Sequence, residues 1–230
     1  MTVVQPELSK LIEAEEKASI LFEAVIQRGI IAAGKSERQV NEEIFALAFE
    51  LFGIETYWHK RIVRAGVNTL CPYDENPPDL ILREDEILFL DFGPVFEEYE
   101  ADFGRTYVIG TDADKIRLCN NIESAWYLTR TWIMKHRSLR SSDIYKYVCD
   151  LARKLGWEFG GEIAGHLVGK FPHERLSKGE IGLYIHPEND LDIFEKDADG
   201  NDRRWILEIH FVDREKKIGG FFEQLIEGIQ

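Results

Sequence analysis

The sequence predicts an α+β fold built from two similar halves, each with two helices followed by sheet-forming segments. Two observations predict it. Apolar residues recur at helical spacings in four segments, and runs rich in β-branched and aromatic residues follow each pair of those segments. Helix pairs are common in unrelated proteins, so the pattern alone leaves open whether the halves are a true internal duplication.

In the first half, residues 7–27 and the stretch from Ser36 to Gly53 are predicted to be helices. The second of these begins with a capping box, because Gln39 follows Ser36 by three residues, and it ends at a glycine. The first presents one apolar face, made by Leu8, Leu11, Ile12, Ala18, Phe22, Val25 and Ile26.

In the second half, Asp112 and Asp114 open a third predicted helix. Ser141 and Ser142 open a fourth, which ends at Gly156. A glycine-rich stretch and a charged loop follow before the last two strands. Each half therefore has the order helix, helix, sheet.

Composition and charge narrow the class of protein. At 230 residues with 44% hydrophobic residues, the chain is long enough for one sizeable core or two small ones. A net charge of −14 argues against a nucleic-acid partner and suits cations, whether metal ions or the ammonium group of a substrate. Without a signal sequence or a run of about 18–20 apolar residues, we expect a cytoplasmic protein with no membrane association. The spacing of Cys71, Cys119 and Cys149 predicts neither disulfides nor a cysteine zinc site.

The centre of the chain predicts a β-hairpin that carries two aspartates. Strand-like runs from Ile87 to Phe92 and from Tyr99 to Val108 flank a Gly93-Pro94 break and contain Asp91 and Asp102. A hairpin centred on positions 96 and 97 makes the aspartates direct cross-strand partners, with Cβ atoms about 4.5–5.5 Å apart. Carboxylates held that close in a sheet interior repel one another unless a cation lies between them, which indicates a metal site. The alternative is an aspartate that faces solvent at a strand end.

The last two predicted strands, residues 204–212 and 221–226, repeat this arrangement with glutamates. A symmetric turn between them makes Glu208 and Glu223 facing partners. Apolar residues flank each glutamate, so an inward position buries it, and a buried carboxylate needs a partner.

Between the two hairpins lies His166, in a glycine-rich segment. Its imidazole and the four carboxylates form a ligand set of the kind that holds two divalent ions about 3.5–4 Å apart. The sequence therefore predicts a metal site shared by the two hairpins.

The order of these residues resembles the methionine aminopeptidase, aminopeptidase P and creatinase superfamily. Five segments carry the resemblance: LDFG at 90–93, DFGRT at 102–106, GHLVGKFPHE at 165–174, ILEI at 206–209 and FFEQ at 221–224. It covers nearly the whole chain and is specific in order and spacing. It implies the pita-bread fold, in which one curved antiparallel sheet is covered by helices. It also implies a single catalytic domain over residues 1–230, with halves of about 1–110 and 111–230.

The resemblance further implies two divalent ions, of manganese, cobalt, iron or zinc, as cofactors. The implied ligands are Asp91 on one ion, Asp102 and Glu223 bridging both, and His166 and Glu208 on the other. Two residues carry implied catalytic roles. His173, which matches the family's second histidine, binds the substrate carbonyl or the tetrahedral intermediate, and Glu208 passes a proton to the leaving nitrogen.

The sequence departs from the family at substrate-facing positions. Tyr73 stands where the family commonly has a histidine ahead of the first aspartate, and a phenol is a poor proton shuttle at neutral pH. Ile209 replaces the usual proline, and the adjacent His210 shares the face of Glu208, either as a site residue or as a supporting one. We expect Tyr73, His173 and His210 to contact the substrate.

The remaining histidines match no role in the family. We expect His59, His136 and His186 to be structural or at the surface, with His186 the strongest candidate for an exception. Arg105 is expected either to support a ligand carboxylate or to form an ordinary strand salt bridge.

The implied function is a dinuclear metal-dependent hydrolase that releases an N-terminal residue from a short peptide, of the Xaa-Pro or Met type. The chain length is nearer to methionine aminopeptidases, whereas LDFG and AGVNTLCP look more like the aminopeptidase P branch. Two alternatives stay open: a creatinase-like hydrolase of a C–N bond in a small amide or amidine, and a non-catalytic binding module on the same fold. The native metal and the formation of a homodimer are also open.

Overall fold

The computed structural model describes residues 6–171 and 181–228 and shows helices packed against an antiparallel sheet. The helices are α1 (Pro6–Gln27), α2 (Glu37–Phe52), α3 (Ala113–Ile133) and α4 (Ser141–Lys154). The strands are β1 (Ile62–Ala65), β2 (Glu86–Phe92), β3 (Val95–Phe96), β4 (Tyr99–Glu100), β5 (Phe103–Ile109), β6 (Glu158–Phe159), β7 (Gly165–Leu167), β8 (Trp205–Asp213) and β9 (Ile218–Leu225). Across the described residues, no helix combines the length and apolar character needed to cross a bilayer.

The two halves share one sheet, in the order β1-β2-β5-β9-β8-β6, and β7 pairs with the other end of β8. They meet where Gly104 of β5 pairs with Glu223 of β9. A Cβ atom at Gly104 would lie only 2.9 Å from that of Glu223, so glycine allows the halves to approach closely. The predicted α+β fold class, with two helix-helix-sheet halves joined in one antiparallel sheet, is confirmed.

Each strand near the centre of the sheet alternates between two environments. In β2, Leu88 and Leu90 pack against the helices of the first half, whereas Phe89 and Asp91 face a cavity on the other side. In β8, Leu207 and the apolar residues at every second position along the strand pack against α3 and α4. Glu208 faces the same cavity as Asp91. Because side chains alternate along a strand, the two apolar cores hold the sheet in place while its other face presents polar groups.

The helices begin at the residues that the sequence signals predict. Ser36 and Gln39 form the predicted capping box, and Gly53 ends α2 with a left-handed φ of 66°. Asp112 caps α3 as expected. α4 begins at Ser141, as predicted. Arg140 precedes the helix, and the Ser141 hydroxyl donates to the carbonyl of Tyr184 at 2.8 Å. Ile26, placed on the buried face of α1, is 50% exposed.

The second hairpin has the predicted register and the first does not. Glu208 pairs directly with Glu223, which confirms the prediction for β8 and β9. In the first hairpin Asp91 pairs with Gly104, so Asp91 and Asp102 are diagonal neighbours rather than direct partners. The turn is centred one residue later than predicted, after Phe96, because Glu97 adopts a left-handed φ of 58°. The shift moves the register by two positions, which keeps both aspartates on one face.

Candidate metal centre

Four carboxylates converge where the two halves of the sheet meet. Glu208 is hydrogen-bonded to Glu223, and Glu223 is hydrogen-bonded to Asp102, so the acids of the second half reach those of the first. A hydrogen bond between two carboxyl groups requires a proton on one of them. Asp91, Asp102 and Glu223 are buried, whereas Glu208 is partly exposed. The central prediction, that these acids lie close together inside the fold, is therefore confirmed for the four residues.

The pKa values of these acids show that ionising all of them at such close range is unfavourable. Burial and repulsion from the other carboxylates raise the pKa of Glu223 well above its ordinary value. Burial also raises the pKa of Asp91 to about 6 and that of Glu208 to about 7. Burial opposes ionisation of Asp102 as well, but His59 and His166 hold its pKa below the usual range. The cluster accordingly needs positive charge.

His166 supplies one imidazole from β7. Its Nε2 lies 2.9 Å from Oδ2 of Asp102 and 3.6 Å from Oε1 of Glu223. Its Nδ1 lies 2.8 Å from the carbonyl oxygen of Leu167, which can only accept a hydrogen bond, so Nδ1 carries a hydrogen. His166 is thus fixed with Nε2 directed at the carboxylates, where the sequence placed it.

His59 supplies a second imidazole, and its side chain is buried rather than at the surface. Its side chain is 7% exposed, and its Nε2 lies 3.2 Å from Oδ1 of Asp102 and 3.5 Å from Oδ1 of Asp91. No motif marks this position in the sequence, because the contact depends on β1 pairing with β2. The only local signal is an aromatic and histidine run, YWHK at 57–60, directly ahead of a predicted strand.

The donor set fits divalent metal ions. Two groups of side chains have ligand atoms within 4.8 Å of one another in the described part of the chain: His59, Asp91 and Asp102, and Asp102, His166 and Glu223. Asp102 belongs to both groups, as a bridging ligand would. Oδ1 of Asp91 is buried and has no hydrogen-bond donor among the described residues, which leaves an anionic oxygen for a cation to satisfy. Nitrogen and oxygen donors of this kind suit zinc, manganese, cobalt or iron.

The buried Glu15 and the partly buried Arg105 hold the ligand backbones. Oε1 of Glu15, on α1, accepts the N–H of Asp102 at 3.1 Å. The Arg105 guanidinium donates to the carbonyl of Glu223 at 2.8 Å and is stacked between the rings of Phe103 and Phe222. Arg105 therefore supports Glu223 through the backbone carbonyl of Glu223. The expected pairing of Arg105 with a ligand carboxylate is wrong. Sequence reasoning missed Glu15, since nothing in α1 marks it.

A cavity of about 970 Å³ opens above the cluster. Its walls come from both halves and include seven aromatic side chains: Tyr57, Trp58, Tyr73, Phe89, Phe171, Tyr184 and Phe221. Tyr73 lies on a loop whose carbonyl groups accept hydrogen bonds from Arg64, at 3.3 Å for Tyr73 and 2.9 Å for Glu75. The phenol of Tyr73 is thus presented to the cavity, and burial raises its pKa, so it stays protonated at neutral pH.

The other predicted histidines differ in their placement. His210 lines the cavity, but its Nε2 donates to the carbonyl of Thr69 at 2.8 Å, and burial lowers its pKa to about 4. A neutral His210 therefore connects β8 to the turn after β1 that contains Thr69. His186 also lines the cavity, whereas His136 bonds the carbonyl of Trp132 at the end of α3. His173 lies outside the described residues.

The chain belongs to metallopeptidase family M24, whose family model matches residues 9–195. The resemblance of the sequence to the superfamily that contains this family is therefore confirmed. Among relatives, an uncharacterized peptidase of Staphylococcus saprophyticus is 28% identical over 183 residues, which are 78% of this chain and 48% of the relative.

Solved structures place the fold in the same group. An X-Pro aminopeptidase of Thermotoga maritima superposes with a TM-score of 0.73 at 20% identity, covering 97% of this chain and 61% of the other. A methionine aminopeptidase of the same organism gives a TM-score of 0.69 at 15% identity and covers 98% of both chains. At these identities the likeness concerns the fold, which is the predicted pita-bread fold. The chain spans about half the length of the Staphylococcus relative.

Proposed function

We propose that this chain is the catalytic domain of a dinuclear metal-dependent aminopeptidase that releases an N-terminal residue, of the Xaa-Pro or Met type. The observation that carries the proposal is the cluster of four carboxylates and two imidazoles at the base of the cavity. Such a concentration of acids inside a sheet is costly without cations, and a structural protein has no reason to retain it.

The ligand roles follow the two groups of donor atoms. Asp102 lies in both groups and would hold both ions, Asp91 would hold the first-half ion, and His166 with Glu223 would hold the second. We assign Glu208 to the second ion as well, since it is hydrogen-bonded to Glu223. When bound, two divalent ions would activate a water molecule for attack on the scissile carbonyl and stabilise the charge that develops on the carbonyl oxygen.

Glu208 is suited to move the proton that this attack releases. It is the carboxylate of the cluster that is partly exposed, so it can exchange a proton with the water and substrate in the cavity. The proposed step is transfer of a proton from water to Glu208 and then to the leaving nitrogen. The role proposed for His173, binding the substrate carbonyl, rests on the family resemblance alone.

The cavity favours a short peptide. Its volume of about 970 Å³ lies at the upper end of the range of about 300–1,000 Å³ for small-ligand sites. The aromatic walls fit an apolar side chain or a proline ring, and the net charge of −14 attracts a substrate ammonium group. Tyr73 can donate a hydrogen bond to the substrate, although it cannot replace a histidine in proton transfer.

Metal analysis and a substrate panel test the proposal. Protein purified with Mn²⁺, Co²⁺, Fe²⁺ or Zn²⁺ should retain two ions for each chain, measured by mass spectrometry of the metals after dialysis. Met-initiated peptides, Xaa-Pro peptides and small amidines should then be assayed in parallel. Cleavage confined to amidines would favour a creatinase-like reaction, and bound metal without any cleavage would favour the non-catalytic module. Protein that retains no ions would overturn both hydrolase assignments.

A further inference from the structure

Within the proposed metal centre, on which this inference rests, the ligand set implied by the family resemblance contains one imidazole, from His166. The sheet supplies another. The acids lie on β2, β9 and β8 and directly before β5. At the two sides of this group, β1 pairs with β2 and β7 pairs with β8. His166 is on β7, and His59 lies three residues ahead of β1. The two imidazoles thus enter the cluster from opposite edges of the carboxylate row.

The two rings are also fixed in the same way. In each, Nδ1 lies 2.8 Å from the carbonyl oxygen of the next residue, Lys60 for His59 and Leu167 for His166. Since a carbonyl oxygen only accepts, Nδ1 is the protonated nitrogen in both rings, and Nε2 is the atom directed at the carboxylates. A backbone carbonyl on the far nitrogen is the usual support of a metal-bound histidine.

The packing around His59 holds its ring against the aspartates. The indole of Trp58 lies edge to face against both imidazoles, with centroids 4.4 Å from His59 and 5.4 Å from His166. Gly93 leaves space for both rings, because a Cβ atom there would lie 2.3 Å from Cδ2 of His59 and 2.4 Å from Nε1 of Trp58. The ring of His59 is therefore packed against both Trp58 and Gly93.

The distances fit a shared metal ion. With metal–ligand bonds of about 2.0–2.2 Å, neighbouring donors in tetrahedral or octahedral geometry lie about 3.0–3.4 Å apart. Nε2 of His59 is 3.2 Å from Asp102 and 3.5 Å from Asp91, which matches the 2.9 and 3.6 Å that separate Nε2 of His166 from its two carboxylates. A lone pair facing two anions is repelled unless a positive charge lies between them.

We infer that His59 is a sixth ligand of the metal centre and binds, with Asp91 and Asp102, the ion of the first half. Each ion then has one imidazole, and the centre is nearly symmetric across the β5–β9 junction. The competing arrangement is a protonated His59 that donates a hydrogen bond to the aspartates and binds no metal.

Nuclear magnetic resonance of the whole chain separates the two arrangements. Protein labelled with ¹⁵N-histidine has six histidines, so long-range ¹H–¹⁵N spectra are simple, and His59→Gln and His166→Gln assign the two signals. On addition of two equivalents of Zn²⁺, Nε2 of both residues should move to the metal-bound position while Nδ1 keeps its hydrogen. Retention of a hydrogen on Nε2 of His59 in protein that holds two zinc ions would overturn the inference and leave the metal centre intact.

A binding experiment gives a second measurement. In calorimetric titration, His59→Ala should lower the affinity for one of the two zinc ions by more than about 100-fold. Loss of a residue that only supports a ligand lowers metal affinity by about 10–100-fold. Added imidazole should restore that ion, which a purely structural role would not produce. His136→Ala, a histidine outside the cavity with a similar ring-to-carbonyl bond, is the matched control and should bind both ions normally. Unchanged affinity in His59→Ala overturns the inference, whereas wild-type protein without any bound zinc would overturn the proposed function itself.

Discussion

The two halves of the sheet contribute the same kinds of side chain to the site in two different geometries. Asp91 and Asp102 lie diagonally across the β2–β5 pair, whereas Glu208 and Glu223 lie directly opposite each other. Diagonal neighbours are about 7–8 Å apart, against about 4.5–5.5 Å for direct partners. Nε2 of His59 contacts both carboxylates of the wider pair, and the closer pair shares a hydrogen bond.

This difference shows that strand register, as well as the number of acids, decides where an imidazole can contact the carboxylates. In the first half, Nε2 of His59 contacts both acids of the β2–β5 hairpin. In the second half the acids share a hydrogen bond, and His166 reaches across the junction to Asp102. Asp102 therefore contacts both imidazoles, through Oδ1 on one side and Oδ2 on the other. Asp102 is thus the acid that links the two imidazoles.

Removing that shared residue should have the largest effect. Asp102→Asn should lose both ions and lower kcat/KM by more than about 100-fold, because loss of even an outer-shell partner costs up to that amount. Glu223→Gln should lose the second-half ion and, if Glu223 also bridges, the first-half ion too. Metal content after dialysis and steady-state kinetics measure both effects. Asp143→Asn, an exposed aspartate paired with Arg140 on α4, is the control and should retain both ions. Full metal content in Asp102→Asn would contradict the bridging role.

Exchanging the acid lengths between the halves should have a smaller effect. Asp91→Glu and Glu208→Asp keep every charge but move a carboxylate by one carbon–carbon bond, about 1.5 Å. If register sets the ligand positions, each change should weaken metal binding by roughly 10–100-fold, as expected for a displaced ligand. Calorimetric titration with Zn²⁺ measures the change, and Asp150→Glu on the exposed face of α4 is the matched control. If both variants bind Zn²⁺ as tightly as the wild-type protein, total charge rather than geometry holds the ions.

Most of the fold and part of the site could be predicted from the sequence, for physical reasons. The capping box at Ser36 and the glutamate pair depend on residues close in sequence or on a symmetric turn. The first hairpin was displaced because Glu97 adopts a left-handed conformation that its side chain does not signal. His59 was missed for a different reason. Its neighbours are 32 and 43 residues away, and only the pairing of β1 with β2 brings them together.

The pH dependence of stability should separate the metal-free cluster from the occupied one. The carboxyl pKa of Glu208 is raised to about 7, so between pH 4.5 and 7 the folded state binds more protons than the unfolded state, and stability falls as pH rises. Facing carboxylates raise the pKa of His59 and His166 to about 9 against the effect of burial, so the same sign holds from 6.5 to 9. His210, whose pKa is lowered, opposes the trend only below pH 6.5.

In EDTA, the Tm should therefore decrease from pH 6.5 to 9, by about 2–4 °C for each kcal/mol lost. Saturating Zn²⁺ should reduce this slope, since the ions replace protons as counter-charge and bind the ionised ligands. Thermal unfolding monitored by circular dichroism measures both curves. His136→Gln should keep the wild-type difference between them. Identical slopes with and without Zn²⁺ would show that the cluster does not exchange protons for metal.

The smallest effects should come from the residues that hold the ligand backbones. At neutral pH Glu15 is mostly protonated, because burial raises its pKa to about 8, so Glu15→Gln should change stability little and keep an acceptor for the N–H of Asp102. Glu15→Leu leaves that N–H unsatisfied and should cost about 1–3 kcal/mol in urea unfolding. In the second half, Arg105→Met removes the donor to Glu223 but keeps an apolar chain between the rings of its neighbours, and it should cost a similar amount. If only the variant in one half also weakens Zn²⁺ binding, the two halves differ in how firmly the backbone must hold each ligand.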